Sequence, residues 1–422
     1  MTKGQTETDY QRAMERYAAV GVDTERAVGL LASVPVSLHC WQGDDVGGFE
    51  RSGAVLSGGG IQVTGSRPGK ARTIGELRDD LAKAFALIPG QHRVNLHAMY
   101  GDFGGKAVDR DEIAPDHYRS WVEWARGRGL GLDFNATCFS HPKADSGFTL
   151  SDRDPAVRRF WIEHVKRCRK ISVFMGRELR TPCIHNLWIP DGTKDIPVDR
   201  RERRSLLLES LDEIYQDDYP ADQMKDALES KLFGIGSESF VVGSHEFYLY
   251  YALLNGRMVC LDLGHFHPTE SVADKLSALL CFFEELVVHV SRGVRWDSDH
   301  VVILNDDLRD LAAEIVRADA LGQVHLALDF FDASISRVGA WAIGARATLK
   351  AILCALLEPA AALAKAEAAG DGFARLAWLE EAKALPWGAV WDYYCLTRAV
   401  PVGGALMDEV ESYEQSVTLR RG

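Results

Sequence analysis

One recurring pattern limits how this chain can fold. Seven short apolar runs, rich in β-branched residues, each end on or near a polar side chain: 35–41, 92–100, 129–137, 184–190, 258–265, 285–291 and 323–330. An eighth candidate around 228–236 is more polar and follows a helical-looking stretch. Longer charged segments lie between the runs, such as "TIGELRDDLAKAFALI", "DPAVRRFWIEHVKRC", "RERRSLLLESLDEIYQ", "TESVADKLSALLCFFEEL" and "DDLRDLAAEIVRAD", and they read as helices. Strands joined by crossovers of this length run parallel. Seven or eight such units make either a closed (β/α)8 barrel or a doubly wound open sheet. The run ends favour the barrel: His39, His97, Asn135, Asn186, Asp262, His289 and Asp329 would converge on its C-terminal face, whereas an open sheet would scatter them. The expected organisation is an N-terminal helical segment (1–34), a (β/α)8 TIM-barrel catalytic domain (35–345) and a C-terminal helical extension (346–422). Barrel closure needs only one helix after the last strand, so the surplus predicts contacts between subunits.

Composition sets outer bounds. The 422 residues are 46% hydrophobic and 26% charged, ordinary for a globular enzyme. A formal charge of −13 disfavours nucleic acid as a general partner, although a local basic groove remains compatible with it. The N-terminus reads as an amphipathic helix rather than a signal peptide, and no segment looks apolar enough to span a bilayer. The eight cysteines are scattered, with no CxxC, and several sit inside apolar runs where they act as small buried hydrophobes. These features predict a cytoplasmic protein without a membrane partner.

The chemistry concentrates in the second half. Glu229 and Lys231 form an E-x-K, and Asp262 and His265 a D-x-x-H followed by His267. His289 ends a strand, Asp297 and Asp299 lie just beyond it, and Asp329 ends the last run. Singly these are weak signals: a D-x-D is commonly a solvated turn, His289 suits a core, Glu229 and Lys231 suit a surface pair, and Thr269 would cap a helix beside His267. Together, carboxylates aimed into one mouth repel each other unless cations neutralise them. Carboxylates with one or two imidazoles suit Mn, Mg or Co, and the set is large enough for two neighbouring ions. The D-x-D carries a geometric condition: an extended strand would point its two carboxylates to opposite faces, so the backbone there must bend.

In this order, "PVSLHCWQGDD", "ESKLFGIG", "CLDLGHFHPTE", "RWDSDHVVIL" and "LDFFDASISR" resemble the L-rhamnose isomerase family of the xylose isomerase-like barrels, across essentially the whole chain. Asp262 stands where the xylose type carries glutamate, and His289 where it carries aspartate. The resemblance implies reversible conversion of L-rhamnose to L-rhamnulose in a cytoplasmic, manganese-dependent homotetramer, with Co2+ or Mg2+ as substitutes. It implies that Glu229, Asp262, His289 and Asp329 hold the ion that grips adjacent substrate oxygens. His265, Asp297 and Asp299 would hold a second ion that activates water for a 1,2-hydride shift. An enediol route through a base remains the alternative.

Lys231 is placed to steady negative charge on a substrate oxygen, or simply to neutralise the acidic mouth. Trp41, Phe139 and Trp188 offer flat apolar faces to a deoxy sugar, and His97 a hydrogen bond to the ring oxygen or O1. The expected catalytic set is Lys231, Asp297, Asp299, Asp329 and His97. The glycine-rich "SGAVLSGGGIQVTG" matches no phosphate-loop pattern and reads as a loop near the mouth. Rival readings are another metal-dependent isomerase or epimerase, a phosphodiesterase, or a non-catalytic sugar-binding protein. The phosphodiesterase would want basic residues around the mouth, where the cluster is mostly acidic.

Overall fold

The computed structural model describes residues 2–50, 65–231, 239–294 and 298–421. Eight parallel strands close into a barrel. They are β1 (Pro35–His39), β2 (Gln91–His97), β3 (Gly131–Asn135), β4 (Cys183–Trp188), β5 (Met224–Glu229), β6 (Met258–Asp262), β7 (Leu286–Val290) and β8 (Val324–Leu328). The ring closes where Val36 of β1 pairs with Leu326 of β8. Helices cover the outside, so the protein is a TIM barrel with additional C-terminal helices.

The helices begin where the sequence offers a cap. Thr73, Asp154, Asp199 and Asn305 each accept a hydrogen bond from a backbone N–H two or three residues on, starting Ile74–Phe85, Pro155–Leu179, Arg200–Ile214 and Asp306–Arg317. Two expectations shift. The helix expected to start at Thr269 runs Ala273–Leu280, because the Thr269 hydroxyl is taken by His267 Nδ1 at 2.7 Å. The strand sought at 228–236 is β5, which starts at Met224 and ends at Glu229. Its polar start hid it: Asp226 faces outward and is buried against Arg169 (2.9 Å) and His185 (3.1 Å).

Register decides which side chains fill the barrel. Ser37 pairs with Arg93, Asn95 with Asp133, Asn135 with Asn186, and Asp262 with His289. Partners in register share a face and alternate residues repeat it. The interior therefore takes Ser37 and His39, Arg93, Asn95 and His97, Asp133 and Asn135, Asn186, Glu229, Asp262 and His289. This interior is more polar than most barrels, and its charges sort by height. At the N-terminal floor Arg93 Nη2 meets Asp133 Oδ1 at 2.7 Å, and Glu285 meets Lys225 at 2.5 Å and His325 at 2.6 Å.

The terminal segments pack on the same barrel. Lys3–Ala18 buries Thr6, Tyr10, Ala13 and Tyr17, one helical face, and Tyr10 stacks on Tyr393 of the helix Trp387–Thr397 at 3.8 Å. Arg337–Leu356, after the last strand, donates from Trp341 Nε1 to the His39 carbonyl. This helix amends one expectation: it is long and apolar enough to cross a membrane by composition, but 78% of its apolar window is buried inside the protein. The further helices are Ala360–Ala368, Gly372–Lys383 and Ala405–Ser416. Six cysteines are buried, as their apolar settings predict, while Cys354 is half-buried and Cys281 exposed.

Candidate metal centre and active site

Three neighbouring strands and the residue after a fourth supply the centre. Glu229 ends β5, Asp262 ends β6, His289 is the penultimate residue of β7, and Asp329 directly follows β8. One ligand atom from each of these four lies within 4.8 Å of the others. His289 Nδ1 is 3.3 Å from Glu229 Oε1, 3.2 Å from Asp329 Oδ2 and 3.8 Å from Asp262 Oδ2. Among the described residues, Glu229 Oε1 and His289 Nδ1 are buried with no hydrogen-bond partner. Orphaned ligand atoms of this kind, facing one another at the end of a barrel, fit a divalent cation with oxygen and imidazole ligands.

The surroundings hold the ligands in place. Asn186 Nδ2 donates to Glu229 Oε2 at 2.5 Å. Ser291 Oγ and the Gly264 N–H both donate to Asp262 Oδ1 at 2.6 Å, leaving Oδ2 directed at the cluster. His265 Nδ1 lies 2.9 Å from the Ser230 carbonyl and 3.1 Å from Glu229 Oε1. Burial alone would raise the Glu229 carboxyl, but His289 and His265 hold it well below the carboxylate range. Asp329 is raised by burial, which His289 only partly offsets. Burial also lowers His289, yet Cys260, Glu229 and Asp329 lift it well above the ordinary imidazole value. A cation at the centre would replace the proton that this cluster otherwise attracts.

Of the second set, His265 and Asp299 line the same pocket as Glu229, His289 and Asp329. Asp297 lies outside the described residues, as does most of the glycine-rich loop. At Asp299 the backbone takes φ 44, in the left-handed region, and the Phe331 N–H donates to its carbonyl at 3.2 Å, while the geometry of the D-x-D as a pair lies outside the described residues. The structure also brings in Cys260, within reach of Glu229 and His289. Burial pushes its thiol up to about 12.

Aromatic rings wall the pocket. Trp41 stacks on His97 with centroids 4.2 Å apart, Trp188 lies 6.2 Å from His265, and Lys231 Nζ sits 5.0 Å from the Trp188 ring. Burial lowers His97 to about 3, so its ring is neutral. Phe139, expected on the sugar face, is not among the residues lining this pocket; its ring stands 6.3 Å from His97 and 5.5 Å from Trp188. Its place on the wall is taken by Phe331, which the sequence reading passed over although it lies two residues after Asp329. Ser291 was legible in the same way, as the residue that closes the 285–291 run. Of the basic residues near the mouth, Arg337 is bound to Asp45 at 2.7 Å, Arg292 donates from Nε to the Val301 carbonyl, and Arg295 lies outside the described residues.

Comparison with known proteins now decides the family. The L-rhamnose isomerase (RhaA) family model matches residues 4–421. The chain belongs to the L-rhamnose isomerase family. An L-rhamnose isomerase from Rhodopirellula baltica is 54% identical over 418 residues, covering 99% of this chain and 97% of that protein. One from Bacteroides thetaiotaomicron is 56% identical over 412 residues, covering 98% of each. Membership makes this chain an aldose–ketose isomerase of a metal-dependent family. Among solved structures, a D-allulose 3-epimerase from Methylomonas sp. aligns with a TM-score of 0.46 and 12% identity, over 76% of this chain and 96% of that one.

Proposed function

We propose that this protein interconverts L-rhamnose and L-rhamnulose at the barrel mouth with two divalent ions, manganese foremost. The observation that carries the reading is the convergence of Glu229, Asp262, His289 and Asp329 within 4.8 Å, with buried ligand atoms left without hydrogen bonds. These four would hold one ion; His265 and Asp299, with Asp297, would hold the other. When bound, such ions supply Lewis acidity to a carbonyl and its neighbouring hydroxyl.

The chain's own groups do the remaining work. Exchange between aldose and ketose moves one hydrogen between C1 and C2 and one proton between their oxygens. Lys231, set against Trp188, steadies the developing negative charge on a substrate oxygen. The Nε1 donors of Trp41 and Trp188 are buried without protein partners, which suits sugar hydroxyls, and the ring faces suit the C–H and methyl surface. Neutral His97 serves as a hydrogen-bonding group at the ring oxygen or O1. Direct hydride transfer between C1 and C2 is the proposed route, with a solvent-exchanging enediol as the alternative.

The apolar side chains left exposed on the outer helices, Phe373 and Leu376 on Gly372–Lys383, support self-association through the extension at 346–422, as a homotetramer. The cytoplasm is the proposed compartment. Exhaustive chelation should abolish conversion of L-rhamnose, and manganese should restore it; full activity in metal-free protein overturns the proposal. Substrate deuterated at C2 should retain its label at C1 of the ketose in ordinary water, whereas complete washout would establish the enediol route.

A further inference from the structure

At the opposite end of the barrel lies a second concavity, a cleft of about 950 Å³ along the starts of β1, β2 and β3. Its volume is in the range of small-molecule sites. Gln91 lines this cleft and His97, at the other end of β2, lines the active-site pocket. At 3.3 Å per residue the two sites are roughly 20 Å apart. The cleft is lined by five arginines, Arg93, Arg126, Arg128, Arg177 and Arg180, and by one carboxylate, Glu178. That excess of positive charge stands on a chain whose net charge is −13.

The guanidinium groups are unequally committed. Arg93 is spent on Asp133, Thr181 and the Pro182 carbonyl and forms the cleft's inner wall. Glu178 is shared between Arg126, at 2.8 Å, and Arg177, at 3.4 Å, and both arginine side chains are more than half exposed. Such exposed pairs give way at little cost. Among the described residues no carboxylate pairs with Arg128 or Arg180. Arg128 is held over the Trp124 ring at 4.9 Å, which fixes its guanidinium while leaving its N–H donors unspent.

Helix dipoles explain only part of this arrangement. Arg126 and Arg177 fall in the last turns of Arg119–Arg126 and Pro155–Leu179, where a cation is favoured. Arg128 and Arg180 lie beyond those turns. Arg180 is left-handed, with φ 55, at a helix end where glycine would sit without strain and an L-residue is disfavoured. Gly131 completes the floor, since a Cβ there would come within 2.3 Å of the Arg93 guanidinium.

We infer that this cleft binds a small, multiply charged phosphate compound, distinct from the neutral sugar at the mouth. Guanidinium forks match phosphate oxygens two at a time, and four of them facing one space can share two or more phosphate groups. The binding would turn the cleft's surplus charge, repulsive when empty, into an attraction that salt screens.

Calorimetric titration of the full chain with inorganic tripolyphosphate at low salt tests this. One site per chain is expected, weakening as salt rises. An Arg128→Ala/Arg180→Ala variant should lose about tenfold or more in affinity. The Arg128→Lys/Arg180→Lys variant should recover only part, because an ammonium cannot make the paired contact. Both positions are exposed, and an unchanged thermal midpoint in the absence of tripolyphosphate confirms that the variants fold. Failure of tripolyphosphate to bind overturns the inference, as does binding indifferent to the alanine pair, full recovery by lysine, or equal affinity for citrate. So does a variant whose only change is its sedimentation behaviour, which would make the cleft a contact between subunits.

Discussion

The two ends of the barrel interior use the same kinds of side chain to opposite effect. At the floor each carboxylate has a cationic partner: Asp133 has Arg93, and Glu285 has Lys225, with His325 as a further hydrogen-bonding neighbour. At the mouth Glu229, Asp262 and Asp329 crowd around one imidazole, and ligand atoms are left without hydrogen bonds. Burial penalises unpaired charge at both ends, more heavily at the mouth, where Glu229, Asp262 and His289 are buried while Glu285 at the floor is half-buried. The floor answers that penalty within the protein and is finished; the mouth leaves it to be answered by something bound. The pairing state of a buried charge, more than its presence, separates structural from functional use.

Substitutions at the two ends test this contrast, with the largest effect expected at the mouth. Glu229→Gln should lower turnover by about 10³-fold or more, with a smaller cost in folding stability because His289 and His265 favour its charged form. Chemical unfolding alongside a conversion assay checks both, and a destabilised variant with normal turnover would collapse the distinction. At the floor, Asp133→Asn should cost about 3–5 kcal/mol of stability by leaving Arg93 buried without its ion pair, with turnover per folded molecule little changed. A smaller effect is expected from Asn186→Ala, which frees Glu229 without removing a ligand: metal affinity, read by titration, should fall about 10- to 100-fold.

The smallest effect tests a third setting, the buried Asp44 behind the Trp41 turn. Tyr100 Oη donates to one of its oxygens at 2.6 Å and the Gly48 N–H to the other at 2.7 Å, yet burial still raises its carboxyl to about 7. A folded value above the unfolded one means that the folded state holds the proton more tightly. The associated stability is complete below about pH 4 and is lost as pH rises through about 7. Asp44→Asn should therefore flatten the decline in stability between about pH 4 and pH 8. Identical pH profiles for the two proteins would show that Asp44 is already ionised in the fold.

Much of this was legible in the chain itself. The alternation of apolar runs with capped amphipathic segments dictates parallel strands joined by helices, and polar residues closing those runs point to one catalytic face. His39, His97, Asn135, Asp262, His289 and Asp329 all stand at or beside strand ends for that reason. Where the pattern misled, a distant partner had changed the local rule. The weaker strand candidate at 228–236 is β5, Met224–Glu229, where Asp226 is buried against Arg169 and His185, and Phe139, expected on the pocket wall, stands 6.3 Å from His97 outside the lining residues.

Hydrophobic periodicity is a local property, so the sequence alone determined the element types, their order and the residue types offered at the mouth. Register is a relation between strands distant in sequence. Only the closed barrel decided that Glu229, Asp262, His289 and Asp329 meet at one height, that Asn186 reaches Glu229, and that the starts of three strands and the ends of two helices gather arginines around one cleft. Local pattern states which face of an element is apolar; long-range pairing sets which polar groups become neighbours, and the chemistry follows from the neighbours.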